Sequence, residues 1–182
     1  VRTPLLLAGG WALAILGATG PDLVRILYDD RYVEAGWIVQ ILALGSWFAV
    51  MEAGNGVGFL ARGEANWVAA NNGAKLLGMA ILMPIGYSLS GFHGAVCGYA
   101  LADIFKYGVS VFAAWRVDLL SIREDVLLSL TLAVAAGAGW VTASRLESAG
   151  VSIPLVFLAS SVVVTGFWCP TTVWHWYDRR RW

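Results

Sequence analysis

Residues 36–61 read GWIVQILALGSWFAVMEAGNGVGFLA, a run of 26 residues in which Glu52 is the one charged side chain. An α-helix rises about 1.5 Å per residue, so about 20 apolar residues cross a hydrocarbon core about 30 Å thick. The run is therefore long enough and apolar enough to span a bilayer. It predicts a transmembrane helix.

Further runs of the same character lie on both sides of this one. Across all 182 residues, 59% are hydrophobic, 13% are charged and the mean hydropathy is +0.70, which is above the range of ordinary water-soluble domains. We predict an all-α integral membrane protein, a bundle of about six transmembrane helices that forms one domain over residues 1–182. The predicted spans are approximately 4–20, 36–61, 65–88, 92–115, 125–144 and 151–174. Because the first residue is Val and not Met, we expect the C-terminal part of a longer protein.

Composition also argues against several functional classes. The 12 basic and 12 acidic residues cancel, so no charge excess points to nucleic acid. The sequence has no nucleophile elbow, zinc signature or phosphate-binding loop, and we predict no enzymatic activity and no cofactor. His93 and His175 are far apart without ligands at suitable spacing, so we predict no metal site.

The arginines predict the orientation in the membrane. Seven fall on the side that holds both chain ends, namely Arg2, Arg62, Arg116, Arg123, Arg179, Arg180 and Arg181, and three fall on the other side, namely Arg25, Arg31 and Arg145. By the positive-inside rule, the side with seven is cytoplasmic. We therefore expect a multi-pass protein of the bacterial inner membrane with both ends of this chain in the cytoplasm.

The segment 21–35 is too polar to span a membrane. It follows Gly20-Pro21, where we predict that the first helix ends, and it is amphipathic, with Leu27 and Tyr28 able to face lipid. We predict an external interfacial elbow between the first two spans.

Ionisable residues near the middle of predicted spans provide the strongest functional signal. Each of Glu52, Lys75, Asp103 and Lys106 lies ten to thirteen residues from a predicted cytoplasmic helix end. That depth is about 15–20 Å, where a charge costs about 2.5–3.5 kcal/mol. Asn55 shares a helix face with Glu52, and Asn71 lies one turn from Lys75, so three helices in succession each carry a polar stripe.

Two interpretations of these stripes remain open. In one, Glu52 pairs with Lys75 and Asp103 with Lys106 as packing contacts of a bundle that transports nothing. In the other, the polar residues line a hydrophilic translocation cavity. The predicted cavity residues are Glu52, Asn55, Asn71, Lys75, Asp103 and Lys106.

Three segments, taken in order, resemble polysaccharide and oligosaccharide-lipid flippases, which share a superfamily with multidrug and toxin extruders and lipid II flippases. The segments are LVRILYDDRYVEAGWIVQILALGSWF (23–48), FLARGEANWVAANNGAKLLG (59–78) and GFHGAVCGYALADIFKYGV (91–109). In the first, the matching positions are Leu27, Tyr28, Tyr32, Ala35, Gln40, Ile41 and Leu42. Asp29 stands where the family usually has glycine.

The resemblance implies two lobes around a central cavity, of which this chain would be the C-terminal one and its partner the missing N-terminal lobe. The implied substrate is a lipid-linked oligosaccharide, flipped by alternating access, and Lys75 would contact its diphosphate because an ammonium is a point-charge partner for phosphate oxygens. Two alternatives stay open. One is a drug or metabolite exporter of the same fold, and the other is a non-transporting membrane subunit of polysaccharide assembly.

Overall fold

The computed structural model of the chain describes residues 2–28, 30–119 and 121–178, and its secondary structure over these ranges is entirely helical. A short 3-10 helix, Asp30–Tyr32, lies between the first two of five α-helices. The α-helices are α1 (Arg2–Leu27), α2 (Ala35–Ala61), α3 (Ala65–Arg116), α4 (Ile122–Ser148) and α5 (Ile153–Asp178). All five contain apolar stretches long enough to cross a membrane, as expected of a multi-pass membrane protein. The all-α fold class is confirmed.

Over the described residues the structure has five α-helices and not the predicted six. The difference lies in α3, a helix of 52 residues that includes both predicted spans 65–88 and 92–115. Only two residues inside it leave helical backbone angles, Ser90 (φ −141°, ψ 21°) and Gly91 (φ 60°, ψ −139°). Gly91 tolerates a positive φ because it has no Cβ. The two predicted spans are therefore separated by a break of two residues inside α3 and not by a separate loop.

The two parts of α3, which we call α3a (65–89) and α3b (92–116), nevertheless lie against each other as an antiparallel hairpin. Gly86 is so close to Gly94 that neither position has room for a Cβ, and Gly98 lies in the same way against the backbone of Leu82. One turn further from the bend, a Cβ on Gly78 would be 3.2 Å from the Cβ of Ala102. Small residues thus allow the two backbones to approach closely.

The end of α1 also differs from the prediction. We expected the helix to end at Gly20-Pro21, but it continues through Pro21 to Leu27. A proline inside a helix removes one hydrogen bond, and in a membrane helix the surroundings can compensate for that loss. Here Gly36 lies directly against Pro21, with no space for a side chain between them. The segment between α1 and α2 is therefore shorter than the predicted elbow, and Asp29 within it lies outside the described residues.

The described chain divides into two compact units, and several helices contribute to both. The first unit contains the start of α1 through Gly9 together with Ile41–Asp125. The second contains Gly10–Gln40 and the chain from Val126 onward. Arg179 to Arg181, which contributed to the predicted orientation, lie outside the described residues.

Each unit has an apolar interior of its own. In the first, buried Phe59 packs with Ala113 and Ala114. In the second, Gly139 of α4 approaches Ala18 of α1 and Val164 of α5 closely enough that a Cβ would clash. The first unit contains all the predicted cavity residues.

Candidate functional site

The predicted cavity residues meet inside the first unit, on α2 and the two parts of α3. Glu52 comes from α2, Asn71 and Lys75 from α3a, and Asp103 and Lys106 from α3b. The antiparallel hairpin explains why these residues come together. Because α3a and α3b run in opposite directions from the bend near residue 90, position 75 lies close to position 103. Of these five residues, Glu52, Asn71 and Asp103 are buried, at 4%, 0% and 2% exposure.

Glu52 uses both of its carboxylate oxygens. Its Oε2 is 2.6 Å from the Nζ of Lys106, and its Oε1 accepts a 3.0 Å hydrogen bond from the amide of Asn71. A buried carboxylate is tolerated when a cation and further donors compensate for its lost hydration. Glu52 therefore ties α2 to α3a and α3b.

Lys75 forms the second ion pair of the site. Its Nζ is 2.7 Å from Asp103 Oδ1, and it also lies 4.9 Å from the centre of the Tyr99 ring, within cation–π range. The Lys75 side chain is 24% exposed, whereas the side chain of its partner Asp103 is 3% exposed. The side chain of Lys106, in the other ion pair, is 16% exposed. Lys75 is thus the most accessible charge of the four.

These pairs differ from the pairs predicted under the packing interpretation. We expected Glu52 with Lys75 and Asp103 with Lys106, and that pairing is wrong: each lysine contacts the other carboxylate. Asp103 and Lys106 are three residues apart on the same helix, yet each pairs with a residue from another segment. The four charges still cancel, so both interpretations of the site remain compatible with it.

Asn55 lies in the same unit but binds a residue that the sequence analysis did not select. Its side-chain amide donates a 3.1 Å hydrogen bond to Ser110 Oγ, and Asn55 and Ser110 are both buried. Ser110 continues the stripe of Asp103 and Lys106 at a spacing of seven and four residues. That spacing was the signal that could have identified it.

A second set of polar contacts, also missed, lies near the first residues of the chain. The hydroxyl of Tyr107 donates a 2.7 Å hydrogen bond to Asp125 Oδ2, and Asp125 also pairs with Arg2. Arg2 further lies 3.7 Å from Glu124. The prediction used Arg2 only as a loop charge, because contacts between the start of α1 and the start of α4 leave no periodic pattern in the sequence.

A cavity of about 310 Å³ lies between α2 and α3b and is apolar throughout. It contains none of the six predicted residues. Its lining consists of Ile41, Leu44, Gly45, Phe48, Cys97, Ala100, Leu101 and Ile104. This cavity therefore differs in chemistry from the hydrophilic one that the sequence predicts.

The polar site can act on a bound molecule through its charges and hydrogen bonds. It holds two carboxylates and two ammonium groups that neutralise one another, together with amide and hydroxyl groups that bind dipoles. Within the described ranges, no three His, Cys, Asp or Glu side chains come together as a metal site. An anion that reaches Lys75 would compete with Asp103 for the ammonium.

Comparison with protein-family models, with characterised proteins and with solved structures finds no match to this chain.

Proposed function

We propose that this chain is the C-terminal lobe of a bacterial inner-membrane transporter that flips a lipid-linked oligosaccharide or polysaccharide precursor from the cytoplasmic to the periplasmic leaflet. The sugar and diphosphate pass along the polar site while the lipid tail stays in the bilayer. The proposal combines the resemblance of the three segments to flippases with the chemistry of the polar site.

The observation that carries the proposal is the convergence of ionisable residues in the middle of apolar helices. Glu52, Lys75, Asp103 and Lys106 come from three segments and form two adjacent ion pairs. Intramembrane ionisable residues are costly, and their usual uses are substrate and ion pathways. A bundle that needed only packing could use apolar side chains at these positions.

Lys75 is the residue that we assign to the substrate diphosphate. Its ammonium has three protons, of which one faces Asp103 and another can face the Tyr99 ring. The remaining donor, together with its partial exposure, leaves Lys75 able to bind a phosphate oxygen. Lys106 is less suited to this role because its carboxylate partner Glu52 is fixed by Asn71.

The exposed surface of α3a supports the proposed partner, an N-terminal lobe of the same carrier. Only 6% of the apolar window of α3 is buried, and Leu76, Leu77 and Leu89 are 67%, 66% and 78% exposed. Such a surface suits either lipid or the helices of another lobe. In a two-lobed carrier, alternating access follows from rocking one lobe against the other.

The test is the leaflet distribution of lipid-linked oligosaccharide in cells that lack the native gene. A membrane-impermeant reagent that modifies the sugar measures the fraction on the periplasmic face. We expect this fraction to fall strongly in the deletion strain and to recover with the wild-type gene. It should stay low at normal membrane abundance with the double variant Lys75→Met and Asp103→Asn, which removes the lysine without stranding the buried Asp103 charge. An unchanged distribution in the deletion strain would refute the proposal, and loss of dye efflux in its place would favour the exporter alternative.

A further inference from the structure

Asn72, on α3a, is a polar side chain that the proposed transport site does not include. It is exposed, and it forms no hydrogen bond with the residues that the structure describes. It follows Ala65, the first residue of α3, by seven positions, which is about 10 Å along the helix axis. Residues 65–89 rise about 37 Å, whereas the hydrocarbon core of a bilayer is about 30 Å thick. Asn72 therefore lies at a depth inside the core and not at the end of the span.

An exposed amide at this depth cannot face lipid without a penalty. Hydrocarbon offers no hydrogen-bond partner, and an unsatisfied polar group in the membrane interior is costly. A lysine or arginine can extend its long side chain to the interface, but the side chain of Asn72 is too short to do so. Asn72 therefore faces water, a polar substrate or a polar group of another helix.

The position of Asn72 relative to the polar site favours water and substrate. Asn72 and Lys75 are three residues apart, so their side chains are neighbours on the surface of α3a. Asn71, the preceding residue, is fully buried and donates its hydrogen bond inward to Glu52. The two successive asparagines thus face different surroundings, and Asn72 lies on the side from which the partly exposed Lys75 is reached.

The surface next to Asn72 has room for a bound molecule. Ala69, one turn before Asn72, is exposed, and a Cβ added to Gly73 would meet nothing within 4 Å. Small side chains at these two positions leave the Asn72 amide accessible.

We propose that Asn72 lines the aqueous pathway of the carrier and binds a hydroxyl group of the sugar that is joined to the diphosphate at Lys75. This inference rests on the proposed transport function, because it assigns a second contact to the same substrate. A side-chain amide offers both donors and an acceptor, and a sugar hydroxyl both donates and accepts. Being neutral, Asn72 does not compete with Asp103 for the ammonium. Lys75 thus binds the phosphate charge, and Asn72 recognises the sugar.

The reactivity of a cysteine tests whether Asn72 faces the aqueous pathway, whatever the substrate is. In the full-length protein without Cys97 and Cys169, Asn72→Cys should react with a small membrane-impermeant thiol reagent, added to inverted vesicles or to whole cells. The matched control is Ala70→Cys, which is exposed on the same side of α3a as Leu77 and lies two residues nearer to the helix start. We expect it to react at least tenfold more slowly.

The control separates facing from depth, because depth alone would make the cysteine at position 70 the more reactive one. A cysteine at position 72 that reacts no faster than the one at position 70, from either side of the membrane, would overturn the proposal. Lipid or another helix would then cover Asn72.

Transport gives the second readout, as the periplasmic fraction of lipid-linked oligosaccharide per unit of membrane protein. We expect Asn72→Leu to lower it about five- to tenfold, the value of one lost hydrogen bond, and Asn72→Gln to retain part of it. Leucine suits an apolar span, so membrane abundance should not fall. Asn66→Leu, at an exposed asparagine in the first turn of α3, should transport normally.

Two outcomes separate this inference from the proposed function. Normal transport by Asn72→Leu, in a strain where deletion of the whole gene stops transport, would overturn the sugar contact and leave the proposed function standing. Normal transport in the deletion strain would overturn both.

Discussion

The two units bury acidic groups in different ways. In the first, Glu52 and Asp103 each face a lysine, so opposite charges neutralise one another. In the second, Asp22 is buried and its Oδ1 has no hydrogen-bond partner among the described residues, while Glu147 pairs with Arg25 on the surface. The buried ion pairs of the first unit should therefore contribute more to stability than the exposed pair of Arg25 and Glu147 in the second.

The largest expected effect comes from removing one partner of the buried pair in the first unit. Lys106→Met removes the cation from the Glu52 carboxylate, whose side chain is 5% exposed, and leaves the amide of Asn71 as its hydrogen-bond donor among the described residues. Stranding a buried charge costs about 3–5 kcal/mol of unfolding free energy. The measurement is denaturant or thermal unfolding in detergent micelles, with membrane abundance alongside.

The matched control is Arg25→Met in the second unit, whose pair with Glu147 is exposed on both sides. Exposed ion pairs contribute about 0–1 kcal/mol, so this variant should lose little stability. Equal losses for the two variants would mean that the first pair is not buried from water. Adding Glu52→Gln to Lys106→Met should recover most of the lost stability.

The next largest loss of stability is expected where α3a and α3b lie against each other beside the bend. Gly94→Val introduces a side chain where the backbone of Gly86 leaves no room, and we expect a loss of about 1–3 kcal/mol or more from overpacking. Gly108→Val is the control, because a Cβ there meets nothing within 4 Å. If both valine variants unfold at the same temperature, α3a and α3b are not in close contact.

Some of the fold was predictable because its signals are local. The predicted span 36–61 corresponds closely to α2, Ala35–Ala61, since a long apolar run between polar turns sets both ends. The short bend at Ser90 and Gly91 was also visible as a gap of three residues between two spans. Whether such a gap ends a helix depends on two backbone angles, which composition does not encode.

For the candidate site, the sequence identified the residues better than the contacts between them. Periodicity identified the polar stripes, but it did not identify which carboxylate each lysine contacts. Pairing two antiparallel spans about residue 90 would have placed Lys75 near Asp103, so this contact was within reach of the sequence. The contact of Asp125 with Arg2 joins residues 123 positions apart, and no local pattern indicates it.

The smallest effect on stability is expected in a labelling experiment. It tests the predicted orientation of the chain in the membrane. In a background without Cys97 and Cys169, we expect Ser148→Cys to react with a membrane-impermeant thiol reagent in whole cells and Glu64→Cys to be protected. Ser148 is the exposed last residue of α4 and Glu64 is exposed between α2 and α3, so stability should change by less than about 0.5 kcal/mol. The reverse labelling pattern would invert the orientation inferred from the arginines.

The most direct test of the account compares two charge-neutral double variants, Lys75→Met with Asp103→Asn and Lys106→Met with Glu52→Gln. Each removes a whole ion pair, so both should fold and reach near the wild-type abundance. The measurement is the periplasmic fraction of lipid-linked oligosaccharide per unit of membrane protein. The account predicts that the Lys75 double variant loses about tenfold or more, because a charge-assisted bond to phosphate is gone, while the Lys106 double variant keeps most of its transport. Full transport by the Lys75 double variant at normal abundance would contradict the account and leave Lys75 as a structural counter-ion.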